Sequence, residues 1–260
     1  MQKIWFDYVE QKKTWEENTM YQNYVFDLYG TLIDIHTDEE DSKLWEKLAI
    51  FYVSKGATYT TDEIKQAYIS LCKEERKRVR EEYQVEYEDI RIKKVFEELF
   101  QRKGVTVSQD VITCTSNLFR ILSLDYVKLY DGVLELLDEL RRKGKKIILL
   151  SNAQRSFTEP ELRYLGLYDK FDHIFISSDY YCSKPDVKFY QIMLEELGLD
   201  KKETIMIGND EITDIKGSYE AGLDSLYIHA NISPEIKGKL LSKFSIMDGD
   251  VRKVARMIIK

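Results

Sequence analysis

Four short stretches carry residue types that could do chemistry together. Phe26-Asp27-Leu28-Tyr29-Gly30-Thr31-Leu32 places a carboxylate after an apolar run, and Leu150-Ser151-Asn152 places a hydroxyl and an amide after another. Ser183-Lys184-Pro185-Asp186 offers an ammonium, and Gly208-Asn209-Asp210-Glu211-Ile212-Thr213-Asp214 offers further carboxylates. Taken singly, each has a plainer reading. An Asp before Gly-Thr is a turn former, Ser-Asn after a strand is a helix N-cap, and Asp210 with Asp214 suits a solvated helix start. Together they supply carboxylates, one hydroxyl and one lysine to a common edge.

The surrounding pattern says what must position them. Tyr24-Val25-Phe26 is too short for a helix and rich in β-formers, so it reads as a buried strand ending at Asp27. From about 38 to 125 the texture is helical: Leu44, Trp45, Leu48 and Phe51-Tyr52 recur at helical spacing, Thr61-Asp62 caps a segment to about Tyr83, and Ile90–Arg102 and Ser108–Leu124 follow. From 131 strands and helices alternate. Helix Gly132–Lys143 precedes strand Lys146–Leu150, and a further helix precedes Ile174-Phe175-Ile176. Pro185–Leu197 reads as a helix with proline in its first turn and Gly198 at its cap. Strand Thr204–Ile207, a helix over 212–221, strand Leu226–Ile228 and a helix from about Asp250 complete the chain. This predicts an α/β fold, a Rossmann-like parallel sheet core with an inserted all-α cap domain. The expected division is an N-terminal helical extension over 1–20, the core over 21–34 and 130–260, and the cap over 35–129. In open parallel sheets ligands bind beyond the carboxyl ends of the strands, where the four stretches fall.

That conjunction, from about residue 22 onward, resembles the haloacid-dehalogenase-like superfamily. The four stretches look like its four motifs, and "DGVLELLDELRRKGKKIILLSNA" is similar to its approach to the second. The resemblance implies Asp27 as covalent nucleophile and Ser151, Asn152 and Lys184 as binders of the substrate's phosphoryl oxygens. It implies Mg²⁺ held by Asp27, the Tyr29 carbonyl and motif-four groups, chiefly Asp210 with Asn209 and Asp214 beside it. The implied activity is a Mg²⁺-dependent phosphatase acting on a small phosphomonoester through an aspartyl-phosphate.

The chain departs from the phosphatase pattern at Tyr29, where the second aspartate of motif one would stand. A tyrosine with a pKa near ~10 can donate a proton but is a poor base at neutral pH. Tyrosine here is the pattern of the metal-independent 2-haloacid dehalogenases, whose motif one is similar to Asp27-Leu28-Tyr29-Gly30-Thr31-Leu32. Against that stand Glu46, where those enzymes place an arginine after a Leu-Trp pair, and the retained Asp210. A catalytically weak binding protein on the same scaffold is the third reading.

Composition narrows the partners. A net charge of −7 disfavours nonspecific nucleic-acid binding; the small anionic partner expected here is what the resemblance implies. No apolar run approaches the ~20 residues of a membrane helix. Residues 1–20 carry charges throughout, so no signal peptide is expected, and the three sparse cysteines suit free thiols of a cytoplasmic protein. Monomer and homodimer are both left open. Lys73–Arg80 (KEERKRVR) reads as a solvated helix face laced with i,i+4 pairs, and Arg155 as either a surface residue or a reach toward a substrate anion. His36, His173 and His229 lack zinc spacing.

Overall fold

The computed structural model describes residues 21–259; the expected helical extension over 1–20 lies outside the described residues. Eight strands are described: β1 Asn23–Phe26, β2 Ile33–Thr37, β3 Leu124–Leu129, β4 Lys146–Ser151, β5 His173–Ile176, β6 Thr204–Gly208, β7 Asp224–Ile228 and β8 Phe244–Ile246. Six form one sheet in the order β5-β4-β1-β6-β7-β8, and every pairing in it is parallel. The expected α/β core is thus present. β1 sits at its centre, with Phe26 opposite Leu149 of β4 and Ile207 of β6, so the first strand does join the sheet across the insertion.

The central strands are buried on both faces because helices cover both. Val25, Ile148, Leu150 and Met206 pack in one cluster with Phe189 and Met193. Their neighbours Tyr24, Phe26, Leu149, Ile205 and Ile207 pack in the other with Val133, Leu136 and Leu140. The twofold alternation of strand side chains makes this division. The helices are α1 Ser42–Ser54, α2 Thr61–Tyr83, α3 Ile92–Gln101, α4 Gln109–Ser123, α5 Val133–Arg142, α6 Arg155–Tyr164, α7 Ser177–Tyr180, α8 Val187–Leu197, α9 Gly217–Glu220 and α10 Arg252–Ile258.

Helices α1 to α4 form the insertion. Their core is aromatic: Trp45 lies 5.1 Å from Tyr68, and Tyr68 and Phe96 lie 5.2 and 5.3 Å from Phe119. This core is continuous with the sheet cluster through Val85, Ile90, Phe157 and Cys182. The KEERKRVR stretch is indeed a salt-bridged helix face, Arg78 reaching Glu75 and Glu82 and Arg80 reaching Glu88.

Several local expectations are corrected. The insertion is rooted in a two-stranded antiparallel ribbon, β2 with β3, where helix and loop were expected. β3 reads as helix continuation because its apolar residues Leu124, Val127 and Leu129 do not alternate cleanly. Thr60, not Thr61, caps α2, in a capping box with Glu63. Pro185 precedes α8 instead of opening it; Asp186 is the cap, its carboxylate accepting from the Lys188 N–H. The expected helix over 212–221 begins as a wide turn, Glu211–Lys216, in which the Ile215 N–H reaches the Asp210 carbonyl at 3.2 Å. Among the described residues no helix is long and apolar enough to cross a membrane, and all three cysteines are free.

Candidate active site

The four motif stretches do meet at the carboxyl ends of β1, β4 and β6. Lys184 is at the centre and is 2 % exposed. Its Nζ donates to Asp27 Oδ1 at 2.8 Å and to Asp214 Oδ1 at 2.7 Å. Burial alone would discharge this ammonium, but the Asp214 and Asp27 carboxylates on either side hold its proton, and its pKa lies above the ordinary lysine value. Burial raises the Asp214 carboxyl, while Lys184 pulls it down. The positive charge is therefore held beside the Asp27 carboxylate.

Close backbone approach makes the cluster possible. Gly30 has φ +86°, and a Cβ there would stand 2.3 Å from Asn209 Nδ2. A Cβ on Gly208 would stand 2.3 Å from Asp214 Oδ2. Only glycine fits at either place. The motif-one turn also sorts the carbonyls: Leu28 O accepts N–H groups from Thr31, Leu32 and Ile33, at 3.3, 2.9 and 3.0 Å. The Tyr29 carbonyl accepts none among the described residues.

The motif-four residues divide their labour differently from expectation. Asp214 is the most heavily bonded of them: its Oδ2 takes the N–H groups of Asn209 and Asp210, both at 3.0 Å, and its Oδ1 takes Lys184. Asp210 caps the following turn, Oδ1 accepting from Ile212 and Thr213 at 2.7 and 2.8 Å, which leaves Oδ2 uncommitted. Asn209 is buried, accepts from Thr31 Oγ1 at 3.2 Å and donates to Ser233. Thr31 also donates to Asp27 Oδ2 at 3.2 Å, a contact that no spacing rule singles out.

Ser151 Oγ is buried and has no hydrogen-bond partner among the described residues. The Asn152 side chain positions Lys184, clasping its backbone with two bonds of 2.8 Å. The Tyr29 hydroxyl donates to Glu161 at 2.6 Å and lies 3.0 Å from Thr158 Oγ1. Burial, reinforced by Glu161, pushes its pKa well above the ordinary phenol value. Glu46 is exposed on α1.

Sequence reasoning missed Arg120 and Glu161. Arg120, on α4 of the insertion, donates to Glu161 of core helix α6 at 2.6 Å, and its guanidinium lies 5.8 Å from the Tyr29 ring. Arg120, Tyr29, Phe157 and Asn152 help line a cavity of about 300 Å³. Sequence separation of 41 residues hides this pair, which only packing of the insertion on the core brings together.

For the implied metal, the least committed oxygen donors are the Asp27 carboxylate, with one hydrogen bond to each oxygen, the Tyr29 carbonyl and Asp210 Oδ2. Mg²⁺ is commonly held by one or two carboxylates and completed by water and substrate, so this hard-oxygen set fits it. The described residues contain no cluster of three or more His, Cys, Asp or Glu side chains placed to hold a metal unaided.

The sheet order, the insertion after β1 and the Asp27–Lys184–Asp214 cluster define a class of hydrolase that a family comparison identifies. A model of the haloacid dehalogenase-like hydrolases matches residues 21–222, and the chain belongs to that family. It is 31% identical over 97 residues to the pyrimidine 5'-nucleotidase PynA of Streptococcus pneumoniae, covering 37% of this chain and 41% of that one. It is 24% identical over 212 residues to the (S)-2-haloacid dehalogenase of Pseudomonas sp., covering 78% and 81%. The match thus spans less than half the length of the nucleotidase. Among solved structures, the magnesium-bound HAD-hydrolase YfnB of Bacillus subtilis matches with a TM-score of 0.53 and 20% identity, over 92% of this chain and 99% of that one.

Proposed function

We propose that this hydrolase is a Mg²⁺-dependent phosphatase that attacks a small phosphomonoester with Asp27. The observation that carries the reading is the paired arrangement of a buried cation, Lys184, touching Asp27 at 2.8 Å, and a buried hydroxyl, Ser151, without a partner. A phosphoryl group presents the oxygens that such donors lack, and its charge is what a fixed ammonium meets. The helical insertion acts as a cap over this site.

Asp27 attacks phosphorus and forms an aspartyl phosphate, an acyl phosphate, as the bond between phosphorus and the leaving-group oxygen breaks; water then displaces the Asp27 carboxylate and releases inorganic phosphate. Thr31 holds one Asp27 oxygen, Lys184 the other, and Asn152 fixes the Lys184 backbone. Asp27, the Tyr29 carbonyl and Asp210 would hold Mg²⁺, which when bound offsets repulsion between carboxylate and phosphoryl group. With the Tyr29 hydroxyl tied to Glu161, the site offers no acid at that position. It favours leaving groups that need little protonation.

The second reading is metal-independent dehalogenation of a 2-haloacid. Two observations favour it: Lys184 already neutralises Asp27, and halide needs no acid at position 29. The relative matched over 212 residues is such an enzyme. One panel separates them. Phosphate release from aryl phosphates, abolished by EDTA and by Asp27→Asn, is the expected result. Halide release from 2-chloropropionate with EDTA present would establish the second reading and overturn the first.

A further inference from the structure

A larger groove, about 670 Å³, runs between the insertion and the core and plays no part in the reaction above. Arg91, Lys93 and Asn117 line it from the insertion, and Arg155, Glu159 and Arg163 from the core helix α6. Four cations thus meet two carboxylates, Glu159 and Asp179, on a chain whose net charge is −7.

The pairing inside the groove is uneven. Arg155 is matched to Asp179, and Arg163 to Glu159 at 2.8 Å. Arg91 instead donates to the backbone carbonyls of Ser178 and Asp179, at 3.4 and 3.0 Å, and lies over the Tyr181 ring. Lys93 donates to the Thr113 hydroxyl at 2.9 Å. Neither has a carboxylate partner among the described residues. Two uncompensated cations therefore line a concave site whose other wall carries two more.

We infer that this groove is a binding site for a small organic anion bearing two or more charges, an organic phosphate in chemical class, that bridges the insertion and the core. Guanidinium and ammonium groups facing one another across a cleft suit phosphate oxygens. Gln154 lines both the groove and the 300 Å³ cavity beside Tyr29 and Asn152. Gln154 also ties the two parts together. It accepts from the Ile92 N–H at 2.9 Å, and its amide donates to Asp89 and to the Ile90 carbonyl at 3.0 and 2.8 Å. An anion drawing Arg91 and Lys93 toward Arg163 tightens this junction beside Asn152.

The test uses inorganic pyrophosphate as probe in calorimetric titrations of the whole chain at low salt. Wild type should bind it, with affinity falling as ionic strength rises. Arg91→Gln/Lys93→Gln should weaken binding at least about tenfold, the loss expected for charge-assisted contacts, while probe-free turnover stays unchanged. Arg163→Gln, on the opposite wall, should weaken it too, so the inference does not depend on one variant folding. On binding, amide exchange at 89–92 should slow. Wild-type affinity retained in both variants would place the probe at the catalytic site and overturn the inference, as would no binding by wild type. Turnover is not part of the binding readout, so failure of the phosphatase reading is seen separately.

Discussion

Asp27 is one carboxylate among many in this chain; what sets it apart is that both its oxygens are held, one by Lys184 and one by Thr31. Asp27→Asn should abolish turnover while circular dichroism and thermal melting show an intact fold. Tyr29 provides the sharper test. If it were the general acid, Tyr29→Phe would cost ~10²–10⁴-fold in rate. With its hydroxyl tied to Glu161, the expected outcome is turnover of the same order as wild type. Stability should fall by about 1–3 kcal/mol in denaturant titration, because a buried carboxylate oxygen loses its donor. The motif residues were legible by type and position. Their division of labour was not: Asn152, Asp210 and Asp214 spend side-chain oxygens on backbone N–H groups or on Lys184, and nothing in a linear motif says which acceptor a local N–H will take.

At the scale of elements, the insertion is held to the core by buried polar contacts. Arg120 and Glu161 side chains are 14% and 8% exposed. Arg120→Met should therefore destabilise the protein by about 3–5 kcal/mol, leaving Glu161 charged and unmatched. Arg120→Met/Glu161→Leu should recover much of that, since the double change removes both charges; no recovery in urea titrations would sink the account. Asp89 is a second tie, accepting from the Ser177 hydroxyl, Gln154 and the Ile90 N–H. Burial raises its pKa above the ordinary aspartate value, against the pull of those donors. The sign follows. A raised folded pKa gives stability that is fully present below the unfolded value of ~3.9 and is lost as pH rises through the folded value. The stability of wild type relative to Asp89→Asn should accordingly increase as pH falls through the acid range, and a flat difference would show that Asp89 does not titrate there.

For the whole molecule, binding linkage gives the most direct check on the cofactor. If Mg²⁺ binds only the folded chain, a concentration a hundred times its Kd adds about 2.7 kcal/mol of stability. Thermal melts should move upward with Mg²⁺ and stay fixed with Asp27→Asn/Asp210→Asn. A wild-type melting temperature indifferent to Mg²⁺, with turnover intact, would favour the metal-free reading.

The sequence by itself determined the architecture and the place of Asp27 at the end of the central strand. Runs such as Tyr24-Val25-Phe26 and Lys146–Leu150 can be nothing but buried strands, and polar residues just past such strands fall at the sheet's ligand-binding edge for reasons of topology alone. The tertiary structure alone decided which donor meets which acceptor. The β2–β3 ribbon, the Arg120–Glu161 tie and the turning of Tyr29 away from the reaction all depend on how the insertion packs against the core. Those contacts join residues far apart in the chain, through burial and hydrogen bonding that no local periodicity encodes.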